Sequence, residues 1–335
     1  MKSKRIEWID FGKGITILFV MLVHVIEGVY KTSGYENYDS ISKILMAIIF
    51  TFIMPVFFAL SGYLYHGSNN VRTYLTGLGK KAVNLFIPYI IFSVVYVVLQ
   101  HFGGNVNNLY SWNSLIYIFE KPIGYLWFLY VLFFIFVFVG FLDLLNMGMY
   151  AQLIIYLLSF IASQVINMPY IFRSTLTWVI CFYVGYLLKN ITINWENKKI
   201  LIILVVLLCI DCIYQYNGNT DWFHTNVLSL NNFITKIISI PIAFYYFNHK
   251  KNTTFFRYFK GLGKYSLIIY LVHAPVTSII RVLLLRIGFT NYFVLILGIS
   301  VITWFISLFV CWLSNRYTLI DAVFSPYKYI RSVKK

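Results

Sequence analysis

Charge is scarce in this chain. Asp, Glu, Lys and Arg make up only 11% of its 335 residues, against about 25% in a soluble domain. Hydrophobic residues make up 60%, and the mean hydropathy is +0.76. This balance excludes an ordinary soluble fold and reads as a polytopic membrane protein. Acidic residues are scarcer still, 11 against 27 Lys and Arg, for a formal charge of +16. That excess does not make a nucleic-acid surface, because the basic residues alternate with apolar runs instead of gathering in one patch. Cysteine is limited to Cys181, Cys209, Cys212 and Cys311, all within apolar runs. Cys209 and Cys212 have C-x-x-C spacing, but their surroundings are apolar, and they read as small hydrophobes rather than a redox or metal pair. No set of His, Cys and carboxylates has metal-site spacing, so no metal is expected. A glycine-rich phosphate loop is also lacking. The first apolar run has no small-residue cleavage site after it, so it is expected to stay as a helix and not to be removed as a signal peptide.

What the chain does have is long apolar runs. Ten of them fall at approximately 11–30, 42–65, 82–101, 124–145, 150–167, 172–188, 200–216, 228–247, 265–285 and 292–314. Runs of about 17–25 residues can cross the hydrocarbon core as helices, and they are too long for barrel strands. The fifth and sixth are the weakest, being short and separated only around Pro169. With the N-terminus taken as cytoplasmic, Lys31, Lys43, Lys121, Arg173, Arg281 and Arg286 fall outside, and Lys236 lies within a span. All the other Lys and Arg, from Lys2, Lys4, Arg5 and Lys13 to Lys334 and Lys335, fall inside. The bias places both termini inside and favours an even number of spans. The expected fold is therefore all-α: a membrane bundle of about ten helices, one domain over 1–335. Its core is about 5–315, followed by a short basic tail, 316–335, too short for a core of its own. The aromatics, 20% of the chain, supply interfacial belts. No inverted repeat is seen.

The most informative polar feature is a stripe on the first run. Lys13 and His24 are eleven residues apart. In a helix that is about three turns plus 20°, with about 16 Å of rise. Asp10 and Glu27 fall within about 100° of arc on the same face. Ionisable groups at membrane depth usually face a cavity or a partner. A neutral imidazole is a good general base near pH 7, and Glu27, three residues on, can orient it. The bland alternative is a buried histidine bonded to a neighbouring helix. In Phe57-Phe58-Ala59-Leu60-Ser61-Gly62-Tyr63, the small residues allow close helix approach. Pro55 is expected to loosen that helix and free backbone groups toward a cavity. Lys80 and Lys81, ahead of Asn84 and Pro88-Tyr89, either snorkel or offer charge to an anionic cytosolic ligand. Trp127, in Tyr125-Leu126-Trp127-Phe128, is either an interfacial aromatic or a platform for a sugar ring. Tyr270 and His273 lie three apart ahead of Pro275, which is expected to break or kink the helix; they are either a hydrogen-bonded kink or functional. Lys236 and Asp211 are intramembrane charges that either pair or snorkel. His66, His101, His224 and His249 sit in or near loops and are read as solvated.

These residues, in this order, resemble the acyltransferase-3 family of integral membrane acyltransferases. Lys13 and His24 match the family's first-helix signature, a basic residue and then histidine after ten intervening positions. Ile9-Asp10-Phe11-Gly12-Lys13-Gly14 is similar to the fucose 4-O-acetylase-like branch. The Phe57–Tyr63 turn, the basic run into Pro88-Tyr89, the Trp127-Phe128-Leu129 start and the Tyr265–Pro275 stretch follow in family order. One departure is Asn84, where family members often carry arginine; Lys80 or Lys81 would have to substitute, without the bidentate fork. The resemblance implies transfer of an acyl group, usually acetyl, from cytosolic acyl-CoA to a hydroxyl of a cell-surface glycan or lipid-linked sugar. It also implies a multi-pass location in a bacterial plasma membrane, among lipids and without nucleic acid. On that reading His24 is the base and Glu27 its partner. Lys13, Lys80 and Lys81 meet the CoA phosphates; Ser61, Trp127, Tyr270 and His273 serve the substrates. The alternative from another class is a polysaccharide or small-solute transporter using His and Glu as a proton relay.

Overall fold

The computed structural model describes residues 5–103, 107, 109–191, 197–217, 225–249 and 252–333. His224 and the basic residues Lys2, Lys4, Lys250, Lys251, Lys334 and Lys335 lie outside the described residues. Among those described there are thirteen α-helices and no strand. They are α1 (Glu7–Tyr30), α2 (Asp39–Tyr63), α3 (Val71–Gly103), α4 (Trp127–Leu144), α5 (Met149–Val165), α6 (Tyr170–Asn190) and α7 (Lys198–Asn217). After these come α8 (Phe233–Asn248), α9 (Thr254–Gly263), α10 (Ser266–Arg286), α11 (Tyr292–Arg316), α12 (Thr318–Phe324) and α13 (Pro326–Val333).

Ten of these helices coincide with the ten apolar runs, and eight are long and apolar enough to cross a membrane. The chain is a multi-pass helical membrane protein. The sixth run, read as weak, makes a full 21-residue helix. The short helices are α5, with 17 residues, and α8, with 16. Apolarity alone overstates α8. Ser229 and Asn232 form a capping box over a short 3-10 turn, Leu230–Asn232, so the α-helix starts only at Phe233. Three helices have no apolar run behind them. The amphipathic α9 crosses the start of α1, where Lys260 pairs with Glu7 at 3.0 Å. The tail folds as α12 and α13, and the backbone N–H of Tyr327 donates to Asn84 Oδ1 at 3.2 Å.

Backbones meet closely at the centre of the bundle. A Cβ on Gly62 of α2 would collide with the carbonyl of Phe182, and one on Gly185 of α6 with the carbonyl of Ala59. Small residues at such crossings let the dispersion contacts of a membrane bundle form. Around this seam, Phe58 stacks on Trp178 at 5.2 Å. Buried tyrosines carry their hydroxyls to backbone carbonyls: Tyr89 donates to Ile118, Tyr130 to Phe119, and Tyr183 to Met149. The first two pin the 112–123 segment onto the bundle.

Neither proline breaks its helix. Pro55 lies inside α2 and Pro275 inside α10, and both helices run on. A proline lacks the N–H that would bond the carbonyl four residues earlier. For Pro55 that carbonyl is Thr51; Ser239 Oγ lies 3.1 Å from it and shares its one proton with the Lys236 carbonyl at 2.6 Å. For Pro275 it is Leu271, and Tyr125 Oη donates to it at 2.6 Å. A neighbouring hydroxyl thus lies against each freed acceptor, fully at Leu271 and shared at Thr51, which helps the helices persist in an apolar setting. The expected opening of α2 toward a cavity does not occur.

Candidate active site

α1 carries its polar stripe past two separate cavities, one toward each end of the helix. The outer one surrounds His24. His24 Nδ1 lies 3.3 Å from Glu27 Oε2, and Lys31 Nζ lies 2.6 Å from Glu27 Oε1. Helical spacing of three and four residues makes this ladder local. A carboxylate only accepts, so the neutral imidazole carries its proton on Nδ1 and leaves the Nε2 lone pair free. α10 packs against this face. The His273 ring lies 5.2 Å from that of His24, and it is fully buried. His273 Nδ1 donates to the Ile269 carbonyl at 3.1 Å, while its Nε2 has no hydrogen-bond partner among the described residues. Tyr125 packs edge-on to His273 at 5.4 Å, held there by its bond to the Leu271 carbonyl that Pro275 frees.

The space in front of His24 has two chambers. The larger, about 660 Å³, is walled by aromatics, including Tyr125, Trp127, Tyr170 and Trp178. Trp127 and Trp178 lie 5.5 Å apart, forming a broad ring surface. The smaller, about 120 Å³, is polar, with Gln100, Asn107, Ser278 and Arg281 on its wall. His24, Glu27, Lys31, Tyr96 and Ala274 border both chambers.

The inner cavity, about 390 Å³, brings together Lys13 of α1, Ser61 of α2 and Lys81 of α3, with Tyr65, His66 and Phe136. A second chamber of about 250 Å³ shares Tyr65, His66, Lys81 and Phe136 and continues along α3. Lys81 Nζ lies 4.6 Å above the Phe136 ring, and Lys189 Nζ donates to the Tyr65 carbonyl at 3.2 Å. Lys13 has no ion pair among the described residues. The charged groups on its lining, Lys13 and Lys81, are cationic, which suits phosphate groups.

The structure places His24 beside Glu27, as their spacing on one helix predicts, and of the expected Lys13, Lys80 and Lys81 set it brings Lys13 and Lys81 together, with Ser61, expected among the substrate residues, beside them. Trp127 lines the outer cavity and His273 backs it. Lys80 is not with its neighbour; its Nζ lies 5.8 Å above the Tyr327 ring on α13. The hydroxyl of Tyr270 donates to the Tyr125 carbonyl, so it supports the site from behind. Lys236 and Asp211 do not pair. Asp211 accepts from the Thr235 backbone N–H at 3.1 Å and from Gln215 at 3.0 Å. Lys236, only 3% exposed, donates to the Thr225 and Val227 carbonyls at 3.1 and 2.8 Å. It thereby fixes the 225–228 segment, whose Asn226, Val227 and Leu228 line the larger outer chamber. His66 lines the inner cavity. Arg281, Tyr125 and Trp178 were not singled out by spacing. The one sequence signal for Tyr125 is Pro275, which leaves a carbonyl in need of a donor.

Two relatives have sequences similar to this chain. The nodulation protein NolL of Mesorhizobium japonicum is 26% identical over 231 residues, 65% of this chain and 58% of that protein. The nodulation protein NolL of Sinorhizobium fredii is 31% identical over 128 residues, 36% of this chain and 32% of that protein. The matches therefore span well under two thirds of those relatives' lengths. No solved structure matches the chain. The acyltransferase domain, by contrast, matches over residues 6–314, nearly the whole bundle including both cavities, and the chain belongs to the acyltransferase-3 family.

Proposed function

We propose that this membrane acyltransferase moves an acetyl group from cytosolic acetyl-CoA to a hydroxyl of a cell-surface glycan or lipid-linked sugar. The observation that carries this reading is the pair of cavities on one helix. Lys13 and Lys81 line a cationic inner cavity, and His24 stands at an aromatic outer one. Lys13 and Lys81 would meet the CoA phosphates, with Ser61 beside them. The pantetheine arm would run along α1 toward His24, over the roughly 16 Å of helix rise between the two residues. The sugar ring would lie against Trp127 and Trp178, whose faces suit an apolar sugar surface.

The chemistry follows from the free nitrogen of His24. A sugar hydroxyl is a poor nucleophile at neutral pH. His24 Nε2 takes its proton as the oxygen attacks the thioester carbonyl, and Glu27 holds the ring and favours the imidazolium that forms. The new C–O bond forms as the C–S bond breaks, and the proton passes from His24 to the departing CoA sulfur.

Purified protein, acetyl-CoA and membrane glycan from producing cells test this reading. Release of free CoA together with acetylated glycan is expected, and surface glycans from cells lacking the gene should lose about 42 Da per acetyl group, the mass of the acetyl increment in general acyl chemistry. Proton-coupled solute movement without CoA release would instead favour a transporter.

A further inference from the structure

The smaller outer chamber holds a charge with no ion pair among the described residues. Arg281 of α10 is 6% exposed and reaches across to α1, where Nη1 donates to the Gly28 carbonyl at 2.7 Å. Gly28 is suited to this approach, because a Cβ there would sit 2.7 Å from Nη1. Asn107 Nδ2 donates to the same carbonyl at 3.0 Å. Among the described residues the guanidinium makes no other hydrogen bond and no ion pair. Arg281 lines the smaller chamber. Glu27, the carboxylate that lines the same chamber, is engaged by Lys31 and His24. The charged side chains bordering the two outer chambers are one carboxylate, Glu27, and three cations, Lys31, Arg173 and Arg281.

A buried guanidinium without a counter-charge is costly, and in a membrane protein such groups usually serve a substrate. Its planar fork fits phosphoryl and carboxylate groups better than any neutral hydroxyl. Resting on the outer cavity being the acceptor site, we propose that the acceptor sugar carries an anionic group, phosphoryl or carboxylate, that docks against Arg281. The sugar ring then occupies the aromatic chamber and presents a hydroxyl to His24, which borders both chambers. An anion in one chamber and a ring in the other fix the sugar at two points, which selects the hydroxyl that is acylated.

Binding of small probes to the purified wild-type protein tests this without any acyl donor. The protein is held in a polyoxyethylene detergent, which brings no sugar of its own, and saturation-transfer NMR reads glucose 1-phosphate, glucuronate and glucose. At least one anionic probe should bind about tenfold or more tighter than glucose, the usual worth of a hydrogen bond to a charged group. Preference for glucose 1-phosphate assigns the charge to a phosphoryl linkage; preference for glucuronate assigns it to a ring carboxylate. Arg281→Gln should erase the preference while leaving glucose binding in place, and Arg281→Lys should keep part of it. Equal binding of all three sugars to wild type would overturn the proposal and leave the acceptor site standing. No binding of any probe would remove the acceptor site itself, and the proposal with it. Equal loss of glucose and anion binding in a folded Arg281→Gln variant would reduce Arg281 to a strut between α1 and α10.

Discussion

At His24 the chemistry turns on which imidazole nitrogen is free. Glu27 occupies Nδ1, so Nε2 is the group that can accept a proton. His24→Gln keeps a polar side chain of similar reach but cannot take up the proton, and turnover should fall by about 10²–10⁴-fold in folded protein. Glu27→Gln should be milder, since an amide oxygen can still hold the ring. The measurement is acetyl transfer by purified variants, normalised to folded protein; near-normal turnover in His24→Gln would return the residue to packing. At the inner cavity, Lys13→Ala and Lys81→Ala should each raise the KM for acetyl-CoA by about tenfold, the worth of one charge-assisted contact. Lys80→Ala should leave that KM unchanged, because Lys80 faces the Tyr327 ring. Equal effects at Lys80 and Lys81 would contradict this placement. The His24–Glu27 pair was legible in the sequence because both residues sit on one helix, where spacing fixes geometry. Arg281 was not, because its partner Gly28 lies 253 positions earlier on another helix, and only the packing of α1 on α10 joins them.

At the scale of the helices, the prolines and buried hydroxyls act as matched pairs. Tyr125→Phe would leave the Leu271 carbonyl buried without a donor, at about 1–3 kcal/mol. Pro275→Ala would give Leu271 back its helical partner. The double variant Tyr125→Phe, Pro275→Ala should therefore be more stable than Tyr125→Phe alone, as read by thermal unfolding in detergent. Additive losses would mean that the Tyr125 hydroxyl is not the replacement donor. Lys236 performs a related task for α8, tying the 225–228 segment to the outer cavity wall. Lys236→Met should raise the acceptor KM and spare the donor KM; a change confined to the donor would contradict that role. Sequence reading found the ten apolar helices because apolarity over some twenty residues is a strong signal. It missed α9, α12 and α13, whose polar faces mask their buried sides, and it read Pro275 as a break or kink because the compensating hydroxyl comes from α4's leading turn.

For the whole molecule, the charge bias sets the direction in which the two cavities face. With the basic end inside, the segment ahead of α4 lies outside. Ser114→Cys, near its middle, should label with an impermeant thiol reagent in intact cells; labelling only after permeabilisation would invert the molecule and the donor side with it. The same asymmetry makes the central claim testable in one step. Acyl donor is expected to enter from the end that holds Lys13 and Lys81, and to react at the end that holds His24. Membrane vesicles of both orientations, prepared from producing cells and given radiolabelled acetyl-CoA in the outer bath, read this directly. Inverted vesicles, with the cytoplasmic face outward, should transfer label to membrane glycan, and intact right-side-out vesicles and inverted vesicles carrying His24→Gln should not. Equal labelling in both orientations, or full labelling with His24→Gln, would contradict transfer from an inner donor cavity to an outer acceptor at His24.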